Sequence, residues 1–353
     1  MNPFVSLIQK KVQDFIDRKP ILGLDFGRAG VKIVVLEKFK DQGESRVRFS
    51  FYPHPVESSE PASLHAFQAF LKQEGIAHLP VACNIDDPSL KIRSLDLPKM
   101  PTSDLNEALK WQLRDVTEDP IDKYLIRHTL LQEYKAAGGE RLALIIYAIH
   151  REAVEKRIEL LSQLSLKPRL IEPTPVAFLS CLDRILPWAE GAVYGLLDLG
   201  EGHASFIAVA DRKLLFSRPL VEISGEELMR FIMRELSVPE AEAKELKEKL
   251  VHNGGSALEE RLQSVLSLFY SRIAIEVQRS LDGFALLFQQ KGRIETIFLC
   301  GGGARFPSLA EFLTKNVGIR VDFSDPFQGW NVPAGKEHCL YFGAIGLALY
   351  RYR

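Results

Sequence analysis

The sequence predicts an α/β protein of two similar lobes facing one cleft, with a small α/β subdomain inserted in the first lobe. Three observations predict it. A strand–turn–strand segment with an Asp-x-Gly turn occurs twice, DFGRAGVK at 25–32 and DLGEGHAS at 198–205, and its aspartates Asp25 and Asp198 stand 173 residues apart in a chain of 353. A repeat at half-length argues for two like units. Between the repeats lies a β-α-β-β-α block, and late in the chain a Gly-Gly-Gly loop joins a buried strand to a helix.

The first hairpin reads from ILGLDFGRAGVKIVVLEKF, where apolar flanks predict strands buried on both faces. A helix is predicted over 62–73 and a strand over 79–84. The inserted block follows: a strand over 90–97, the turn PKMPTS, a helix over 104–116 capped by Thr102 or Ser103, strands over 125–133 and 142–149, and an amphipathic helix over 151–164 with Val154, Ile158, Leu161 and Leu164 on one face. The second hairpin spans 192–210. PEAEAKELKEKL then reads as a charged, solvated helix, and a long helix is predicted over 257–290. RIETIFLCGGGARFPSLAEFL gives a strand, the triple-Gly loop and a helix, and CLYFGAIGLALYRY a final Gly-spaced apolar helix.

Composition narrows the function classes. Apolar residues make up 46% of the chain, enough for cores in two or three domains, and the net charge of −1 gives no attraction for nucleic acid. The four cysteines, Cys83, Cys181, Cys300 and Cys339, form no Cys-x-x-Cys pair, so neither a disulfide framework nor a zinc site is expected. No apolar run reaches the length of a membrane span, and the N-terminus lacks signal-peptide character. Residues 1–19 carry Phe4, Leu7, Ile8, Val12, Phe15 and Ile16 near helical spacing, a helical extension for docking on the parent domain or a partner. A membrane-surface helix is the alternative. The expected location is cytoplasmic.

The motifs point to phosphate binding. A Gly-rich turn at a strand end presents backbone N–H groups to an anion, and an Asp before it can hold a divalent cation through water. Either hairpin alone also reads as an ordinary turn; the pair, with Gly301, Gly302 and Gly303, reads as a cleft. Three glycines before a helix allow close approach of a ligand. Glu276 and Arg279 share a helix face and either bracket a nucleoside or form a plain ion pair. Glu172, in IEPTPVAFL, either polarises a water or is a charge at a helix start. There is no Walker A sequence, no Gly-x-Gly-x-x-Gly, and no kinase catalytic loop to accompany DFG.

In this order, the first hairpin, the Glu-Pro-Thr turn, the second hairpin, the Gly-Gly-Gly loop and the Gly-spaced last helix resemble the actin, sugar-kinase and heat-shock chaperone superfamily. IRSLDLPKMPTSDLNEALKWQLRD, DLGEGHASFIAV, VQRSLDGF and FLCGGGARFPSLAEFL resemble more narrowly the PilM family of type IV pilus assembly. The resemblance covers roughly 20–350. It implies a two-lobed actin-like (ribonuclease H-like) fold with the inserted subdomain beside the first lobe, as in FtsA. The spans expected are a first lobe of 20–90, 165–190 and 320–353, the inserted subdomain 91–164, a second lobe of 191–224 and 291–319, and its helical subdomain 225–290. A secretion relative, GspL, carries a membrane helix that this chain lacks up to Arg353, which favours the pilus family.

The resemblance further implies ATP with Mg²⁺ in the cleft. Asp25 and Asp198 match the Mg-facing aspartates, and Asp198 and Glu172 the catalytic carboxylates. Gly27 and Gly200 match the hairpin turns, Lys32 the phosphate lysine, Gly301 to Gly303 the adenosine loop, and Glu276 with Arg279 the ribose–adenine pair. Arg28, Gly30 and Ala204 replace the family's hydroxyls. Each lost hydrogen bond to a charged group costs roughly 1.5–3 kcal/mol; Arg28 either pairs with a phosphate instead or fills the site, and Glu201 repels phosphate if it faces the cleft. Nucleotide affinity, and hydrolysis more so, are expected to be weakened. The implied partner is the N-terminal cytoplasmic tail of a PilN-like inner-membrane protein, alongside other platform components and the assembly ATPase, in a groove beside the inserted subdomain. Ile92, Leu95, Leu97, Leu109 and Leu113 are the first candidates for its contacts. The function expected is a scaffold at the inner membrane. The alternative is an active ATPase or small-molecule kinase of the same superfamily, for which no acceptor-side base is evident.

Overall fold

A computed structural model describes residues 20–38, 45–56, 60–252 and 260–352. The expected helix over 1–19 lies outside the described residues. Two five-stranded sheets dominate. The first has the order β3-β2-β1-β4-β8, built from β1 (Leu22–Gly27), β2 (Gly30–Lys38), β3 (Ser45–Tyr52), β4 (Pro80–Ile85) and β8 (Lys167–Pro173). The second has the order β11-β10-β9-β12-β13, from β9 (Val193–Leu199), β10 (Ala204–Ala210), β11 (Lys213–Leu220), β12 (Ile294–Cys300) and β13 (Arg320–Phe323). In both, three antiparallel strands are continued by two parallel ones. The repeat seen in the two hairpins is thus a repeat of whole sheets.

Helices fill the layers. Between the sheets lie α4 (Thr174–Ile185) and α9 (Phe342–Ala348), in a core shared by Val34 and Leu36 of one sheet and Leu196, Ile207 and Val209 of the other. The far face of the first sheet is covered by α1 (Pro61–Gln73) and α3 (Arg151–Gln163), through Phe67, Leu71, Leu160 and Leu161. The far face of the second is covered by α5 (Gly225–Leu236), α6 (Glu240–His252), α7 (Glu260–Leu287) and α8 (Leu309–Val317). The inserted subdomain is a sheet of order β5-β7-β6, from β5 (Lys91–Pro98), β6 (Tyr124–Ala136) and β7 (Gly139–His150), backed by α2 (Thr102–Arg114). It also touches the second lobe, where the Lys213 ammonium donates to the Leu131 carbonyl at 2.5 Å. No helix among the described residues is long and apolar enough to cross a membrane.

Several expectations need correction. Strands β3, β11 and β13 are additions to the expected set; β3 alternates Arg46, Val47, Arg48 and Phe49, a readable period of two. Because β13 pairs with β12, residues 320–323 belong to the second lobe and not the first. Helix α3 packs Leu160, Leu161 and Leu164 into the first lobe's core, so by packing the inserted subdomain ends before it, and Ile158 is exposed. Helix α2 starts at Thr102 with Pro101 in the capping position; no side chain caps it, and the Ser103 hydroxyl bonds Asp104 instead. The charged helix α6 is not solvated all round, since Ala243, Leu246 and Leu250 are buried on one face. Helix α7 stops at Leu287, short of 290, and the last helix is α-helical only over α9, with tight 3-10 turns on either side.

The crossing of α9 over α4 and β1 needs residues without side chains. A Cβ at Gly346 would overlap the Ala177 carbonyl, and one at Gly23 the Ala344 carbonyl. All four cysteines are free and buried, and burial pushes the Cys83 thiol up to about 12. Gly346→Ala is expected to lower unfolding free energy by roughly 1–3 kcal/mol, because backbone cannot yield as a flexible side chain can. Denaturant titration monitored by circular dichroism checks this; an unchanged midpoint would mean that the two helices are free to separate.

Candidate functional site

The two hairpin turns meet at the mouth of the interlobe space. On β1, Asp25 lies directly opposite Lys32 of β2, and its Oδ2 is 4.0 Å from the Lys32 ammonium. Asn84, fully buried on β4, organises this turn. Its amide nitrogen donates to Asp25 Oδ1 at 2.9 Å and to the Phe26 carbonyl at 3.1 Å, and its amide oxygen accepts from the Phe26 N–H at 2.8 Å. The same nitrogen lies 3.3 Å from the Thr174 hydroxyl at the start of α4. Burial pushes the Asp25 carboxyl up, with Asp198 adding to that and Lys32 opposing it. Gly343 of α9 leaves the space that Asp25 Oδ2 occupies, since a Cβ there would stand 2.9 Å away.

On the second turn, Asp198 Oδ2 is 3.1 Å from His203 Nε2, and Oδ1 accepts from the Cys300 thiol at 3.6 Å. The other ring nitrogen of His203, Nδ1, is 2.9 Å from Asp86 Oδ2, just beyond β4 of the first lobe. Both ring nitrogens can donate at once only in the imidazolium. Burial favours the neutral ring, but the bonds to Asp198 and Asp86 outweigh it and hold the His203 pKa well above the ordinary 6.5. Burial likewise raises Asp86, and the bond and charge of His203, with Arg157, more than reverse it. A second contact crosses the turns: the Arg28 stem lies over Gly202, where any Cβ would overlap Arg28 Cγ.

The predicted site residues divide accordingly. Asp25, Lys32, Gly27, Arg28, Asp198 and Gly200 converge at the turns. Gly30 has φ +140, and a Cβ there would overlap the Tyr52 carbonyl, so a family hydroxyl at this position is sterically barred by β3. Ala204 is 2% exposed and packs in the second lobe's core. Glu201 does not repel an anion in the cleft, because Lys247 of α6 bonds it at 2.5 Å. In the Gly loop, Gly301 and Gly303 are packed against Asp198 and Leu199, while a Cβ at Gly302 would meet open space. Glu276 and Arg279 form the ion pair, 2.6 Å, and Arg218 holds the same carboxylate at 2.7 Å. Glu172 is buried at the end of β8, beside Asn84 in register and near Tyr147 of the inserted subdomain.

A cavity of about 1100 Å³ opens where the first lobe, the inserted subdomain and the second lobe come together. It takes its walls from the turns (Arg28, Gly202, His203), from β5 (Ile92, Arg93), from α3 (Lys156, Arg157) and from the end of β11 (Phe216 to Val221). Neither the Gly loop nor Glu276 lines it. Of the candidate partner contacts, Ile92 lines the cavity. Leu109 and Leu113 of α2 and Leu97 of β5 are buried between that helix and its sheet, which removes them from a partner's reach, and Leu95 is packed against the same core. Asn84, Asp86, Arg157 and His203 join the site from outside the predicted set; only His203, inside a Gly-rich turn, carries a visible signal in the sequence.

As folded, the space between the turns does not accept a metal–nucleotide complex. Arg28 and His203 occupy it, all four oxygens of Asp25 and Asp198 face protein groups, and no cluster of three or more ligating side chains occurs among the described residues.

Comparison with known proteins places the geometry in context. The family model for type IV pilus assembly protein PilM matches residues 81–352. A solved PilM–PilN type IV pilus biogenesis complex is similar at 23% identity and TM-score 0.78, over 95% of this chain and 99% of that one. Ethanolamine utilization protein EutJ from Carboxydothermus hydrogenoformans is similar at 12% identity and TM-score 0.55, over 94% and 89%. A nucleotide-free diol dehydratase-reactivating factor is similar at 9% and 0.54, over 95% and 100%. At these identities the likenesses show the fold, which is actin-like. Comparison with curated proteins gives no match.

Burial opposes ionisation of Glu276, but its bonds from Arg218 and Arg279 outweigh it and hold the carboxyl below the ordinary 4.5. A depressed folded value means the stabilisation is present above 4.5 and is lost as pH falls through the lower folded value. Glu276→Gln is therefore expected to destabilise the protein at pH 7 and to match it once pH has fallen below that value. Thermal unfolding across pH 3–7 checks this, and a difference independent of pH would contradict it.

Proposed function

This chain belongs to the PilM family of type IV pilus assembly proteins, and from that premise we propose that it is a cytoplasmic scaffold of the pilus platform that captures the N-terminal tail of a PilN-like inner-membrane partner. The observation that carries the reading is the three-way cavity at the edge of the inserted subdomain. Phe26, Val56, Ile92, Phe216 and Val221 give it apolar walls for anchoring side chains, and Arg93 and Arg157 give it polar points for orientation. The PilN partner of the similar solved complex supports the choice of occupant. Membrane association follows from the partner.

Nucleotide, in this reading, is a ligand of the opened lobes and not a fuel. The hydroxyls that would hold its phosphates are absent at Arg28, Gly30 and Ala204. Asp198 and Glu172, the carboxylates proposed for hydrolysis, are buried against protein groups. Gly302, the member of the loop that faces open space, is the proposed nucleoside contact.

A labelled N-terminal peptide of the PilN-like partner, titrated against the full chain by fluorescence anisotropy, is expected to saturate. Ile92→Asp should weaken it tenfold or more, about 1.4 kcal/mol or above, since a charge placed on an apolar wall must be desolvated. Equal binding by this variant would move the tail elsewhere, and absence of binding with robust ATP turnover would overturn the scaffold reading.

A further inference from the structure

We propose that His203 is a built-in cation standing where a nucleotide-bound divalent metal would otherwise be needed, so that the cleft closes on its own residues and nucleotide enters only by displacing the His203–Asp86 bridge. This bridge does not depend on the partner-tail reading and involves the turns alone. Asp198 belongs to the second lobe and Asp86 to the first; His203 is within hydrogen-bond distance of both, at 3.1 and 2.9 Å. One residue of the second lobe's turn therefore joins the lobes through a charge-assisted bond on each side, the stronger kind of hydrogen bond. Arg28 repeats the crossing in the other direction, from the first turn onto Gly202.

Charge balance favours the same conclusion. The carboxylates gathered here are Asp25, Asp86 and Asp198. The cations facing them are Lys32, His203 and Arg157. Each of these carboxylates already faces a protein cation or donor without a metal. A hydrated Mg²⁺ needs carboxylate oxygens turned towards its water shell, whereas Asp198 is 8% exposed at its side chain with a donor on each oxygen. His203, by contrast, is half-buried, its side chain 38% exposed.

Two substitutions separate this role from a structural one. Isothermal titration calorimetry of the full chain with ATP, in excess Mg²⁺ and in chelator, reads both. For the parent protein, weak binding with little dependence on Mg²⁺ is expected. His203→Asn removes the built-in cation, so Mg²⁺–ATP should bind about tenfold tighter or more while metal-free ATP does not gain, creating a metal requirement. Asp86→Ala removes the first-lobe acceptor but leaves the imidazolium on Asp198, so affinity should rise without a metal requirement. A parent protein that already binds ATP only with Mg²⁺, or a His203→Asn variant with no gained metal dependence, would overturn the proposal.

Discussion

The structure depends on how closely two helices can pass between two sheets. Helix α9 crosses α4 at Gly346, against the Ala177 carbonyl, and lies on β1 at Gly23. Any side chain at the crossing would drive the sheets apart, and with them the turns that end β1 and β9. Gly343, one turn of helix earlier, leaves room for the Asp25 carboxylate. The same close passage thus sets the lobe spacing and shapes the bottom of the cleft. Its small residues are read from the sequence as a Gly-spaced apolar helix, and the geometry explains why the spacing matters.

With the lobes at this distance, the carboxylates of the cleft face protein groups. Asp25 faces Lys32 and Asn84, Asp86 and Asp198 share His203, Arg157 acts on Asp25 and Asp86, and Asn84 also bonds the N–H and carbonyl of Phe26. A buried carboxylate without a partner would cost several kcal/mol, so this matching is a condition of closure. The departures from a hydroxyl-rich phosphate site follow the same logic. Gly30 is forced by the Tyr52 carbonyl, Ala204 is taken into the core, and Glu201 is held by Lys247. The cavity beside the inserted subdomain offers a large concave surface among the described residues, and it is there that we place the proposed partner.

Much of this is legible in the sequence because the signals are local. Each Asp-x-Gly hairpin, the β-α-β-β-α block and the strand, triple-glycine loop and helix that follow one another near the end are contained within short windows. Their periodicities translate into elements without knowledge of the rest. What escapes such a reading depends on contacts between distant residues. Nothing near Asp86 announces that His203 will bond it across 117 positions, and Asn84 looks like the end of an ordinary strand. Leu109 and Leu113 are candidates for a partner's contacts because the resemblance implies a groove beside the inserted subdomain, but the sequence does not show that β5 and β7 cover them. Helix α6 misleads the opposite way, its charged residues hiding a buried face of Ala243, Leu246 and Leu250.

In the proposed arrangement the lobes are held together by the protein's own side chains. Spin labels at Gln73→Cys on α1 and Glu242→Cys on α6, both exposed positions on the outer helices of opposite lobes, would report the interlobe distance, since the native thiols are buried. Pulsed electron resonance should give one narrow distance in the absence of nucleotide, broadening when His203 is replaced by Asn. A broad distribution that narrows only on adding Mg²⁺–ATP, with or without His203, would contradict the account.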